Sequence, residues 1–301
     1  MVCGPEITGS TTYHPLMSSL RWDHQPALHD PIVVCAFSGW NDAADAATDA
    51  VEWLAARYVA QEFATIDEQV HIDFQAQRPV VTLVDGVTRD LSWPRYSLRA
   101  AATADGQPDL VMITGPEPNY DWRGFCDAVM ETATTLGART VVTFGALLAD
   151  TPHTRAPRLT GSATEPETMD EIGLTRSRYE GPTGIIGVLH DTCRQAGFRA
   201  ASLWVPVPHY VAAPPNPPAI SALLDGLSRS VNLDIDRGEL IVASEAWRAR
   251  VDAAVAADDD LGTYVDNLEA QQTEARVNPD EIPDGDTLAE AFEEYLREQG
   301  T

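Results

Sequence analysis

A chain of 301 residues carrying 46 acidic and 20 basic side chains, a net charge of −26, repels nucleic acid and anionic membrane surfaces, so neither is expected as a partner. Every basic residue is arginine and lysine is absent, which excludes a Schiff-base lysine, a pyridoxal phosphate anchor and a Walker-type phosphate-binding lysine. With 44% apolar residues, the length suffices for one large α/β domain with an appendage or for two modest domains.

Cys3, Cys35, Cys126 and Cys193 are far apart and form no Cys-x-x-Cys, which predicts reduced thiols in a cytoplasmic protein without a zinc ribbon or a disulfide framework. No apolar run approaches the ~20 residues of a membrane span, and residues 1–30 lack the basic and apolar regions of a secretory signal. Neither membrane insertion nor export is therefore expected.

Residues 1–30 mix Gly, Pro, Ser, Thr and His without periodicity and are expected to form a flexible, loosely docked arm. Residues 32–37 are a short β-branched apolar run between Pro31 and Gly39, the pattern of a strand buried on both faces. Ala46, Ala47, Ala50, Val51, Leu54 and Tyr58 then recur at helical spacing. Between strand and helix, Gly39 permits a tight turn, Asn41 or Asp42 can cap the helix, and Asp45 places a carboxylate in its first turn. Trp40 does not follow from those rules. It either lies over the sheet edge as a lid on the core, or belongs to a pocket formed by Ser38, Gly39, Trp40, Asn41 and Asp42 at the carboxyl end of the strand, where open α/β sheets bind ligands.

Residues 61–66 read as a second strand, and Asp85-Gly86 between the apolar runs 80–84 and 87–93 predicts a hairpin. Residues 110–114 form another buried strand, closed by Gly115-Pro116, and 122–136 carry helical periodicity that stops at Gly137. The strand pattern returns at 140–144 and is expected to end at Gly145. Strands alternating with helices at this spacing predict a parallel sheet with helices on both faces.

From 147 to 179 the pattern lapses into a long polar loop holding Pro152-His153-Thr154-Arg155. Gly181-Pro182-Thr183-Gly184-Ile185-Ile186-Gly187 then opens a helix reaching Gly197. Glycines at a helix start fit either an anion cradle, with Gly181 and Thr183 as candidate contacts, or simple close packing of the helix. Residues 201–205 give a further strand leading into Pro206-Val207-Pro208-His209-Tyr210-Val211, and a proline-rich segment starts a helix over 219–231. Helices without intervening strands are expected at 239–256, 261–274 and 287–299. Residues 257–301 hold 14 acidic residues against two arginines. That charge fits a solvated face or a surface for a basic partner.

Chemistry-bearing patterns are few. The seven histidines, His14, His24, His29, His71, His153, His190 and His209, show no metal-ligand spacing, so no metal site is expected, and no cofactor. No Gly-x-Ser-x-Gly elbow is present. Ser38, His209 and an aspartate could meet at strand ends as a triad, but three common residue types carry little information. His153 with Arg155, or His209 with Tyr210, could hold an anionic or ring-shaped ligand by charge and stacking; loop residues of these types also bond neighbouring carbonyls and carboxylates.

Four stretches, Gly39-Trp40-Asn41-Asp42-Ala43, Pro152-His153-Thr154-Arg155, Tyr179-Glu180-Gly181-Pro182-Thr183-Gly184 and Pro206-Val207-Pro208-His209-Tyr210-Val211, in that order resemble the proteasome assembly chaperone family of the second-subunit type, in its bacterial branch. The resemblance covers residues 31–231. It implies a three-layer α/β/α sandwich with a mostly parallel sheet, similar to the phosphorylase/hydrolase-like fold of purine nucleoside phosphorylases. It also implies a helical carboxyl-terminal addition and self-association as a homo-oligomer such as a trimer. The organisation expected is an arm over 1–30, the α/β/α core over 31–235 and an acidic helical lobe over 236–301.

Relatives that act on proteasomes often end in a hydrophobic-Tyr-x tail, whereas this sequence ends Glu298-Gln299-Gly300-Thr301, so docking through such a tail is not expected. The ATP-grasp carboligase activity assigned to some members relies on lysines, which are absent here. The function that the resemblance implies is a self-associating assembly or scaffold protein that presents its helical lobe to a protein partner. The alternative is a small-molecule sensor or enzyme with its pocket at the Gly-Trp-Asn-Asp turn.

Overall fold

The structure, a computed structural model, describes residues 18–165, 169, 173–177 and 179–277. Its framework is a nine-stranded sheet. The strands are β1 (Leu20–Trp22), β2 (Ile32–Ser38), β3 (Gln61–Ile66), β6 (Ser97–Ala101), β7 (Leu110–Pro116), β8 (Thr140–Ala149), β9 (Thr160–Ala163), β10 (Thr175–Arg176) and β11 (Arg199–Pro208). They lie in the order β1-β3-β6-β7-β2-β8-β11-β9-β10. The four central strands, β7, β2, β8 and β11, are mutually parallel. Antiparallel pairing flanks them, β1, β3 and β6 on one side and β9 against β11 on the other. The sheet is thus parallel at its centre and mixed at its margins.

Strand β2 shows why the centre is parallel. Its alternate side chains all enter apolar layers: Ile32, Val34 and Ala36 on one face, Val33, Cys35 and Phe37 on the other. The first face is covered by α1 (Ala46–Arg57) and α5 (Pro217–Val231), with Leu240 from α6 (Gly238–Val255). The second is covered by α3 (Trp122–Leu136) and α4 (Ile185–Gln195). This is α/β/α layering, completed by the four-residue α2 (Glu68–His71) and by α7 (Asp259–Val277). Leu240, Ser244, Trp247 and Val251 are the buried side chains of α6.

Several boundaries differ from the sequence expectation, for physical reasons. Part of the amino-terminal stretch is not loosely docked: β1 pairs with β3, and the Trp22 and Phe63 rings lie 5.5 Å apart. Residues 1–17 and the helix expected at 287–299 lie outside the described residues. β8 does not end at Gly145; it continues to Ala149, in register with β11 from Thr140↔Arg199 to Ala149↔Pro208. Gly145 is there for packing, since a Cβ at that position would sit 2.6 Å from the Trp204 ring. The long polar loop is correspondingly shortened by β8 and interrupted by β9 and β10. The hairpin at Asp85-Gly86 is present as β4 (Val80–Val84) and β5 (Thr88–Ser92), but it forms a separate two-stranded sheet.

The parallel strands fix where chemistry can be placed. β2, β7, β8 and β11 end at Ser38, Pro116, Ala149 and Pro208 along one edge of the sheet. The helix after β2 covers one face, whereas those after β7 and β8 cover the other. The turn after β2 therefore lies at a topological switch point.

Candidate functional site

The turn after β2 is held from inside. Gly39 adopts φ +129, a conformation that side-chain-bearing residues rarely take. Asn41 is fully buried; its carbonyl accepts the Ala146 N–H at 2.8 Å, and its Nδ2 donates to Glu117 Oε1 at 2.8 Å. Glu117 follows β7, and its own N–H donates to the Ser38 carbonyl at 2.8 Å. The same Glu117 Oε1 accepts the Ile185 N–H, at 2.8 Å, at the start of α4. One carboxylate thus ties the β2 turn to a helix amino terminus, where negative charge is favoured.

Asp42 faces the other way. Its carboxylate accepts the Ala47 N–H at 2.7 Å, the Thr48 N–H at 3.2 Å and the Thr48 hydroxyl, and so caps α1 at a distance. Burial pushes its pKa from 3.8 up to about 6 against the opposing effect of these hydrogen bonds. Trp40, between these anchored neighbours, is 61% exposed. It does not close the core.

Gly184 and Gly181 are explained by close approach. A Cβ on Gly184 would meet Asn41 Nδ2 and Oδ1 and Glu117 Oε1, each at 2.7 Å. A Cβ on Gly181 would meet the Tyr179 hydroxyl at 2.6 Å, and that hydroxyl donates to the Pro182 carbonyl. Thr183 Oγ1 lies over Gly187. The anion at this helix start is the protein's own Glu117.

A second polar group occupies the ends of β8 and β11. His153, 3% exposed, lies with Nδ1 2.7 Å from the Tyr210 hydroxyl, donates its backbone N–H to the same oxygen (2.8 Å), and places Nε2 2.9 Å from Asp252 Oδ1 on α6. Beside it, His209 Nδ1 is 3.1 Å from Asp150 Oδ1, which also accepts the Tyr264 hydroxyl from α7. The Tyr210 and Tyr264 hydroxyls are pushed above the ordinary tyrosine range, chiefly by burial. His209, Tyr210 and Tyr264 stack edge to face.

The structure therefore brings Ser38, Gly39 and Asn41 together with Glu117 and Gly184, leaves Trp40 exposed and Asp42 bonded to the start of α1, and brings His153 together with Tyr210. It does not pair His153 with Arg155, which makes no ion pair among the described residues. Glu117, Asp252 and Tyr264 were not singled out from sequence. Of these, only Glu117 carries a local signal: a carboxylate between two prolines just past a buried strand. Among the described residues no cluster of His, Cys, Asp or Glu could hold a metal.

A conserved-family sequence model decides where this arrangement belongs: the PAC2 family model matches residues 36–255, from β2 through α6. The chain belongs to the PAC2 family. No curated protein matches it. A proteasome-assembly chaperone homologue from Mycobacterium tuberculosis is 44% identical, with TM-score 0.72 over 78% of this chain and 99% of its own. A PAC2 family protein from Streptomyces avermitilis is 43% identical, with TM-score 0.71 over 78% and 100%. An archaeal proteasome activator from Pyrococcus furiosus, 17% identical with TM-score 0.60 over 79% and 99%, shares the fold. The PAC2 match includes α6, so the helix carrying Asp252 and Trp247 lies within the family region.

Proposed function

We propose that this PAC2 protein is an assembly or scaffold factor. In this reading it self-associates through its α/β core over 31–235, as a trimer or similar homo-oligomer of phosphorylase/hydrolase-like fold. The acidic helical lobe over 236–301 faces a protein partner in the cytoplasm. The observation that carries this reading is that the motif residues hold shape. Asn41 through its Nδ2, and Asp42, Glu117, His153, Tyr210 and Asp252, bond one another or nearby groups of the chain. Relatives described as a proteasome-assembly chaperone homologue and a proteasome activator support the same class of role. The cytoplasmic setting is supported by Cys35, Cys126 and Cys193, which are buried together as free thiols.

One observation favours a second reading, a sensor or enzyme with a pocket at the Gly-Trp-Asn-Asp turn. Asn41 Oδ1, Gln77 Oε1 and Tyr96 Oη are buried without hydrogen-bond partners among the described residues, and all three side chains interact with Glu117. Buried polar atoms without partners are the groups a polar ligand would satisfy.

Two measurements separate the readings. Molar mass by light scattering at micromolar concentration is expected to exceed the 32.6 kDa monomer. Thermal stability against nucleosides, nucleotides, phosphate and sugars is expected to stay flat. A ligand at 100 times its Kd stabilises by ~2.7 kcal/mol, so a shift that Trp40→Ala abolishes would replace the assembly reading with the second.

A further inference from the structure

The β4–β5 hairpin is the most exposed apolar feature among the described residues. All ten of its strand residues are exposed. With the loop and root it presents Val80, Val81, Leu83, Val84, Val87, Leu91 and Trp93, among which Val87 is 85% and Leu83 62% exposed. The loop Asp85-Gly86-Val87 places Asp85 and Gly86 at positive φ, a twist suited to a tight hairpin. The hairpin is rooted on the candidate site, through the Trp93 ring 5.1 Å from Phe74 and through Gln77 Nε2, which donates to the Glu117 carbonyl at 3.0 Å. The register divides its two faces. Val81 opposes Leu91 and Leu83 opposes Arg89 on one; Val80 opposes Ser92, Thr82 opposes Asp90 and Val84 opposes Thr88 on the other.

An isolated two-stranded hairpin is marginal in water, and an apolar face needs cover to hold it. We propose that the Val81–Leu83–Leu91 face is covered by a second copy of this chain, hairpin against hairpin or hairpin against core, and that this is the contact through which the protein self-associates. The proposal rests on the assembly reading above. Two features favour a second copy over a transient partner. The proposed face carries one charge, Arg89, and so has the apolar character of homo-oligomer interfaces rather than the polar mix of transient ones. Residues 78–93 hold two arginines and two aspartates, a neutral patch on a chain of net charge −26. Elsewhere the like charge of two copies opposes their approach.

The test is sedimentation velocity on the full chain across roughly 0.5–50 µM, a range that brackets a micromolar dissociation constant, with Val81→Asp, Leu91→Asp and, on the opposite face, Thr88→Asp. Because all three sites are exposed, folding should be preserved, as checked by circular dichroism. Expected is an oligomer whose dissociation constant rises about 100-fold or more in Val81→Asp and Leu91→Asp, and under about 3-fold in Thr88→Asp. An oligomer indifferent to all three would overturn the hairpin contact while leaving the assembly reading intact; a monomeric wild type would overturn both. Amide exchange on the wild type gives a readout independent of the variants. Hairpin amides should be protected at high concentration and lose that protection on dilution. Protection that persists in a monomer would mean that the chain covers its own hairpin, and would overturn the proposal.

Discussion

Asn41 Nδ2 and Glu117 Oε1 lie 2.8 Å apart, and the same carboxylate oxygen receives the Ile185 N–H. Three segments far apart in sequence, the β2 turn, the β7 exit and the α4 start, are therefore joined at one atom. Trp40 owes its outward position to this anchor, because its neighbours on the chain have their polar groups committed inward.

Removing the shared acceptor should be expensive. Glu117→Ala leaves the buried Asn41 amide and a helix-start N–H without their partner, and an unsatisfied buried group costs about 1–3 kcal/mol. Urea unfolding of Glu117→Ala is expected to show a loss of about 2–4 kcal/mol. Glu117→Gln keeps an acceptor oxygen and loses the charge at the helix start, so about 1 kcal/mol is expected. Equal losses in the two variants would contradict the shared-acceptor account.

Gly184 makes a sharper test, because its backbone is ordinary. Its φ of −89 suits alanine, so Gly184→Ala has no conformational cost, yet the added Cβ would press on Asn41 and Glu117 at 2.7 Å. The expected loss is about 2 kcal/mol or more, from overpacking alone. Gly137 is the opposite case: φ is +78 and nothing lies within 4 Å of an added Cβ. Gly137→Ala should cost about 1–2 kcal/mol, from backbone strain. If Gly184→Ala is as stable as wild type by thermal melting, the turn is not packed as described.

These two glycines show what the sequence could and could not reveal. Local signals were sufficient where the chain itself sets the structure: helix 122–136 with its Gly137 stop and the Asp85-Gly86 hairpin both lie where they were expected. The burial of β2 on both faces followed from its uninterrupted apolar run. Gly145 misled because a glycine that ends a strand and one that admits a tryptophan from the next strand look alike in one dimension. The polar networks were least legible. His153 was placed beside Arg155, its neighbour in sequence, whereas its bonds go to Tyr210 and Asp252, 57 and 99 positions away. Those partners are set by the register of β8 with β11 and the packing of α6, neither of which leaves a local pattern.

Asp42 should give the stability an inverted pH dependence. Its folded pKa of about 6 lies above the ordinary 3.8, so between these values the folded state holds more protons than the unfolded one. Its contribution is then fully present below about pH 4 and is lost as pH rises through about 6, at most ~3 kcal/mol in all. Asp42→Asn keeps an acceptor for Ala47 and Thr48 but cannot titrate. The difference in unfolding free energy, wild type minus variant, should fall between pH 4 and 7. A difference that is flat or rises over that range would refute the assignment of burial as the dominant influence on this carboxyl.

The Tyr210 hydroxyl should act as the latch between the β8–β11 strand ends and the carboxyl-terminal helices. Its oxygen accepts the His153 backbone N–H at 2.8 Å and lies 2.7 Å from His153 Nδ1, while Nε2 of the same ring faces Asp252 on α6. In Tyr210→Phe the ring can keep its edge-to-face contacts with His153 and Tyr264, at 5.7 and 6.0 Å, while the buried N–H and ring nitrogen lose their partner. A loss of about 1–3 kcal/mol is expected, and amide exchange in α6 and α7 should quicken by about tenfold or more for each 1.4 kcal/mol. Asp252→Asn removes only the charge of a 59% exposed carboxylate and should cost less than about 1 kcal/mol. If Asp252→Asn loosens the helices as much as Tyr210→Phe does, the holding contact is the carboxylate and not the hydroxyl.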